Sequence, residues 1–89
     1  MKAVISVIGK DTVGILASVS AVCAENNMNI TDVTQSILQG MFVMVMIAES
    51  DNIKCSFPEL SAKFAKLGES IGVDIRIMHE DIFNSMHRI

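Results

Sequence analysis

The residues best placed to do chemistry sit in one short loop, Gly9-Lys10-Asp11-Thr12-Val13-Gly14, between a β-branched run and an amphipathic one. A loop that runs into a helix N-terminus presents N–H groups without helical partners and the positive end of the helix dipole, which suits a carboxylate. Gly14 has no side chain and lets an anion or a neighbouring backbone come close. Asp11 can accept from an ammonium group. Together these residues suit an amino acid. They also suit a plain turn, in which both glycines serve backbone geometry and Asp11 or Thr12 only caps the helix.

Other chemistries find less to work with. Cys23 and Cys55 lie far apart in sequence, and Cys23 falls on an apolar helical stripe, so both read as reduced thiols and Cys23 as a buried one. The loop holds no Cys-x-x-Cys pair for a transition metal. His79 and His87 are eight apart, which puts them on different helix faces, away from the i, i+4 spacing of helical zinc sites. "GKD" lacks the Ser/Thr and the spaced Gly of a phosphate-binding P-loop. Glu80 and Asp81 are adjacent and read as first-turn helix charges. No nucleophile and base are set together by spacing. The expectation is no catalytic residue, no metal and no cofactor.

Composition narrows the partners. The net charge is −3, and the seven Lys and Arg are scattered. Phosphate neutralisation needs clustered cations, and base stacking needs aromatics, yet Trp and Tyr are absent; nucleic acid is not expected. No apolar run reaches the ~20 residues of a membrane span, and no signal peptide is visible, so the expected setting is cytoplasmic. Still, 51% of the 89 residues are hydrophobic. That exceeds the need of one small core and points to an interface, most simply with a second copy.

The elements that must position the loop follow from periodicity. Lys2–Ile8 reads as strand 1, with Gly9–Thr12 as a turn. Helix 1 is expected over Val13–Glu25, with Ile15, Leu16, Val19, Val22 and Cys23 as its core stripe and Asn26-Asn27 as its stop. Asn29–Leu38, rich in Thr, Ile and Val but more polar, reads as an edge strand. Gln39-Gly40 makes a two-residue hairpin into Met41–Glu49, which is apolar on both faces. Ser56, Pro58 and Glu59 open a helix whose stripe is Phe57, Leu60, Phe64, Leu67 and Ile71. Val73–Met78 alternates as a half-exposed strand, and Ile82, Phe83 and Met86 suggest a short last helix.

The order βαββαβ closes into an α+β, ferredoxin-like sandwich. Its four-stranded antiparallel sheet has two helices on one face, with the short C-terminal helix appended. Residues 1–89 read as a single domain, with a core of about 1–78 and a tail at 79–89. The face away from the helices is expected to show Phe42, Met44, Met46 and part of strand 1.

The stretch G-K-D-T-V-G-I-L and its helix, then N-M-N-I-T-D-V-T-Q and a hairpin into F-V-M-V-M, resembles the ACT domain over about residues 1–78. It looks most similar to short, free-standing bacterial ACT proteins related to the ACT modules of the glycine-cleavage-system transcriptional repressor. The resemblance implies a non-catalytic regulatory module that dimerises and binds an amino acid between subunits. Carried over by position, the site is Asp11, Thr12, Val13, Gly14 and Ile15 on one chain and Asn29, at the start of strand 2, on the other. The chain departs from the family where Gly9 replaces a frequent polar or His residue and Val13 a frequent Pro. A protein partner in amino-acid metabolism is also implied. The alternative from another class is an interaction or dimerisation module with no ligand, resting on the apolar surplus and the last helix.

Overall fold

The computed structural model describes residues 1–10 and 13–86; Asp11, Thr12 and His87 lie outside the described residues. The chain runs β1 (Lys2–Lys10), α1 (Ile15–Glu25), β2 (Asn29–Leu38), β3 (Met41–Glu49), α2 (Phe57–Ile71), β4 (Val73–His79) and α3 (Glu80–Met86). The strands form one antiparallel sheet in the order β2-β3-β1-β4. The two strands with apolar residues on both faces, β1 and β3, take the centre, each paired along both edges.

The hairpin turns as its residues dictate. Gln39 (φ 51) and Gly40 (φ 80) both occupy the left-handed region, the geometry that matches the twist of the flanking strands. β2 is an edge strand, with a bulge between Ile30 and Asp32. There Thr31 Oγ1 donates to the Ile47 carbonyl at 3.3 Å. α2 opens on Ser56, whose Oγ accepts from Glu59 N at 3.3 Å and donates to the Glu59 carboxylate at 3.1 Å.

The core lies between the sheet and the α1–α2 layer. Ile5 and Val7 of β1, Met44 and Met46 of β3, Val19 and Cys23 of α1, and Leu60 and Phe64 of α2 are fully buried in one cluster. α3 contacts β1 and β4. Val4, on the face away from α1 and α2, is only 4% exposed, as expected if α3 folds over that end of the sheet. Lys2 Nζ lies 3.8 Å from Glu80 Oε1, at the first residue of α3.

Three expectations are corrected. Gly9 and Lys10 belong to β1 and do not turn: Gly9 pairs with both Phe42 and Val73. The reason is space, because a Cβ on Gly9 would stand 2.6 Å from Val73 Cγ1. α1 starts at Ile15 and not at Val13, its N-cap is Gly14 and neither Asp11 nor Thr12, and Leu16 stays 39% exposed outside the core. The two faces of β3 are exchanged. Phe42, Met44 and Met46 lie buried under the helices, and the open face shows Met41, Val43, Val45 and Ile47.

Candidate functional site

The loop side of the site is built around Gly14. Its backbone is left-handed (φ 86, ψ 7), and among the described residues beyond its chain neighbours no heavy atom lies within 4 Å of where a Cβ would be. The first helical hydrogen bond runs from Ser18 N to the Gly14 carbonyl at 3.0 Å. The N–H groups of Ile15, Leu16 and Ala17 therefore have no partner within the helix. No acidic side chain stands in the first turn of α1 to meet them. The Ile15 side chain is buried in the core, so what Ile15 can offer a ligand is its backbone amide. Val13 is fully exposed and Leu16 partly so, which flanks the start of α1 with apolar side chains.

Asn29 lies at the other end of the sheet. It pairs with Glu49, which pairs with Lys2 at the start of β1, whereas the loop follows Lys10 at the end of β1. Eight residues of strand separate the two ends, about 26 Å at the usual rise. The structure thus brings Val13, Gly14 and Ile15 together and leaves Asn29 apart. One chain alone cannot close a small ligand between them.

The Asn29 end is held by the stop of α1. Asn26, the C-cap, is 2% exposed and fully satisfied. Its Nδ2 donates to the Val22 carbonyl at 2.8 Å, and its Oδ1 accepts from Lys63 Nζ at 2.8 Å and from Cys55 Sγ at 3.4 Å. Asn27 takes the left-handed conformation (φ 62), and its Nδ2 donates to the Asn52 carbonyl at 2.7 Å. The chain end joins in: the Met1 ammonium donates to the Ser50 carbonyl at 2.7 Å, and Ser50 N donates to the Met1 carbonyl at 2.9 Å. These bonds shape a polar cleft of about 490 Å³ lined by Lys2, Asn27, Asn29, Glu49, Asp51 and Asn52, among others.

Of that cleft, sequence reading found only Asn29. The signal for the rest was the hairpin register, which runs back from Gln39-Gly40 and sets Asn29 beside Glu49. The bulge at Thr31 hides it, since an unbroken count would set Asn29 opposite Ser50.

Both cysteines are free thiols. Burial pushes the Cys23 thiol up to about 11, away from any nucleophilic role near neutral pH. His79 stacks on Phe57 with ring centroids 4.4 Å apart. Among the described residues no three His, Cys, Asp or Glu side chains gather as a metal site would need.

A β2-β3-β1-β4 antiparallel sheet under two helices, with the chain crossing βαββαβ, defines a ferredoxin-like domain. The family model of the ACT domain matches residues 2–78, and the chain belongs to that family. It is 47% identical to a UPF0237 protein of Methanocaldococcus jannaschii over 88 residues, 99% of this chain and 98% of the relative. Among solved structures it resembles an ACT domain protein from Streptococcus pneumoniae, at 40% identity and TM-score 0.85, covering 98% of each chain. A glycine cleavage system transcriptional repressor shares the fold at 18% identity and TM-score 0.72, over 86% of this chain and 44% of that one.

Proposed function

We propose that the chain is a non-catalytic regulatory module of the cytoplasm that works as a homodimer and binds an amino acid between its two copies. The ligand carboxylate meets the free amides at the start of α1. Asp11 and Thr12 on the same loop and Asn29 of the other copy complete the polar lining. A two-fold axis then creates two equivalent sites, because each copy offers one loop end and one Asn29 end.

The observation that carries this reading is the open helix N-terminus. Among the described residues beyond its chain neighbours, nothing comes within 4 Å of the Gly14 Cβ position, which leaves room for a ligand beside the first turn of α1. Ligand binding favours the subunit arrangement that it fits better, and a protein partner in amino-acid metabolism reads that arrangement.

The test is thermal unfolding of dialysed protein at one protein concentration, with each of the twenty amino acids at millimolar level. A ligand at a hundred times its dissociation constant stabilises by about 2.7 kcal/mol. For a domain of this size the midpoint then rises by roughly 10 °C or more. The shift should occur with one or two amino acids and vanish in Asp11→Ala and Asn29→Ala. A flat panel refutes ligand sensing and favours the second reading, an interaction module without ligand. The open sheet face supports that alternative, since Ile8, Leu38 and Met41 are exposed there beside half-buried Val43, Val45 and Ile47.

A further inference from the structure

Asn29 has a carboxylate and an ammonium for neighbours. It pairs with Glu49, and Glu49 pairs with Lys2, so one row crosses β2, β3 and β1. Directly opposed residues have Cβ atoms about 4.5–5.5 Å apart, so the Glu49 carboxylate lies within reach of a ligand of amino-acid size held by the Asn29 amide. The row opens into the polar cleft.

Glu49 is only lightly engaged. Its Oε1 lies 3.6 Å from Lys2 Nζ, and its Oε2 makes no hydrogen bond or ion pair among the described residues. Lys2 and Glu49 are 41% and 48% exposed, and Lys2 is shared with Glu80. Exposed pairs of this kind hold weakly. The Asn29 side chain likewise has no hydrogen-bond partner among the described residues, whereas the Asn27 amide is committed to the Asn52 carbonyl.

We infer that Glu49 receives the ammonium group of the ligand that Asn29 holds, and so selects amino acids over acids that lack the amine. This rests on the reading that Asn29 of one copy meets the loop of the other. Asn29 offers an amide donor and a carbonyl acceptor, neither of which requires a cation. Glu49 adds a charge-assisted acceptor in the same row. Lys2 competes with the ligand for that carboxylate. Two other carboxylates could take the role: Asp51, in the same cleft, and Asp11, on the loop.

The experiment uses the amino acid that gives the largest thermal shift, and the 2-hydroxy acid of the same skeleton. Both are titrated by calorimetry against wild type, Glu49→Gln, Asp51→Asn, Asp11→Asn and Lys2→Gln, each checked for folding by circular dichroism. Glu49→Gln keeps the shape of an exposed side chain, and Glu49→Ala serves as a second variant. Glu49→Gln should bind the amino acid about tenfold more weakly or worse, the scale of a lost charge-assisted hydrogen bond, and lose its preference over the hydroxy acid. Lys2→Gln should bind the amino acid as tightly as wild type or more tightly. An unchanged preference in both Glu49 variants overturns the assignment. So does its loss in Asp11→Asn or Asp51→Asn alone, or weaker binding in Lys2→Gln. A wild type with no response to any amino acid overturns the parent reading and this one with it.

Discussion

Gly9 and Val73 face each other across β1 and β4 with no room for a methyl group: a Cβ on Gly9 would stand 2.6 Å from Val73 Cγ1. Val73 is held from the other side too, because a Cβ on Gly68 of α2 would stand 2.6 Å from its carbonyl oxygen. The two glycines let the α2–β4 turn press against β1 just before the loop. Overpacking at such a contact costs about 1–3 kcal/mol. Gly9→Ala and Gly68→Ala should each lose about that much in urea unfolding. The two differ in repair. Val73→Ala removes the Cγ1 that Gly9→Ala strikes and should recover part of that loss. It leaves the carbonyl oxygen in place and should recover nothing for Gly68→Ala.

Asn26 carries a second prediction. It is buried with its amide bonded to the Val22 carbonyl and its oxygen to Lys63 and Cys55. Asn26→Ala leaves the part-buried Val22 carbonyl without this donor, at a cost of about 1–3 kcal/mol for a buried group left unsatisfied, while exposed Lys63 turns to water. The Lys54 N–H also meets the Asn26 carbonyl, so the loop that shapes the Asn29 cleft should loosen. Hydrogen exchange at Asn52–Cys55 should rise more than exchange in α2. A uniform rise would mean that Asn26 supports the fold as a whole and not the cleft.

The element order was legible because each element states its period: Phe57, Leu60, Phe64 and Leu67 step by helical turns, and Val73, Ile75 and Ile77 alternate. β3 shows where legibility ends. Period two separates Phe42, Met44 and Met46 from Val43, Val45 and Ile47, but both sets are apolar, so hydropathy cannot say which one the helices cover. β1 settles it, since Ala3, Ile5 and Val7 face the helices and pairing carries that face across to Met46 and Met44. Gly9 misled for a related reason. A glycine reads as a turn, yet here it answers a side chain 64 residues further on. Of the site, Gly14 was legible from its place before a helix, whereas Glu49 depends on a register shifted by the bulge at Thr31.

Cys23 gives a pH prediction. Burial raises its thiol to about 11, against 9.0 unburied. Below about pH 9 the thiol is protonated in both the folded and unfolded chain, and its contribution is fully present. Between about 9 and 11 the unfolded chain releases the proton while the folded chain keeps it, so stability falls as pH rises. Urea midpoints from pH 7 to 11 should show this decline. Cys23→Ala starts less stable because it leaves a gap in the core. Its midpoint should nevertheless fall less steeply above pH 9, and equal slopes would remove Cys23 as the cause.

Gly14 separates conformation from recognition. Its φ of +86 suits glycine, and among the described residues beyond its chain neighbours nothing lies within 4 Å of its Cβ position. Alanine there meets strain and no clash, at a cost of about 1–2 kcal/mol. Gly72 is a matched control in backbone and space, the C-cap of α2, with φ +77 and, among the described residues beyond its chain neighbours, nothing within 4 Å. Gly14→Ala and Gly72→Ala should lose similar stability without ligand. If the ligand carboxylate sits against the start of α1, the Gly14→Ala methyl enters its space, and the thermal shift with amino acid should collapse in that variant alone. Equal shifts in the two variants would place the carboxylate elsewhere, because a group bound at those amides cannot ignore a methyl added among them.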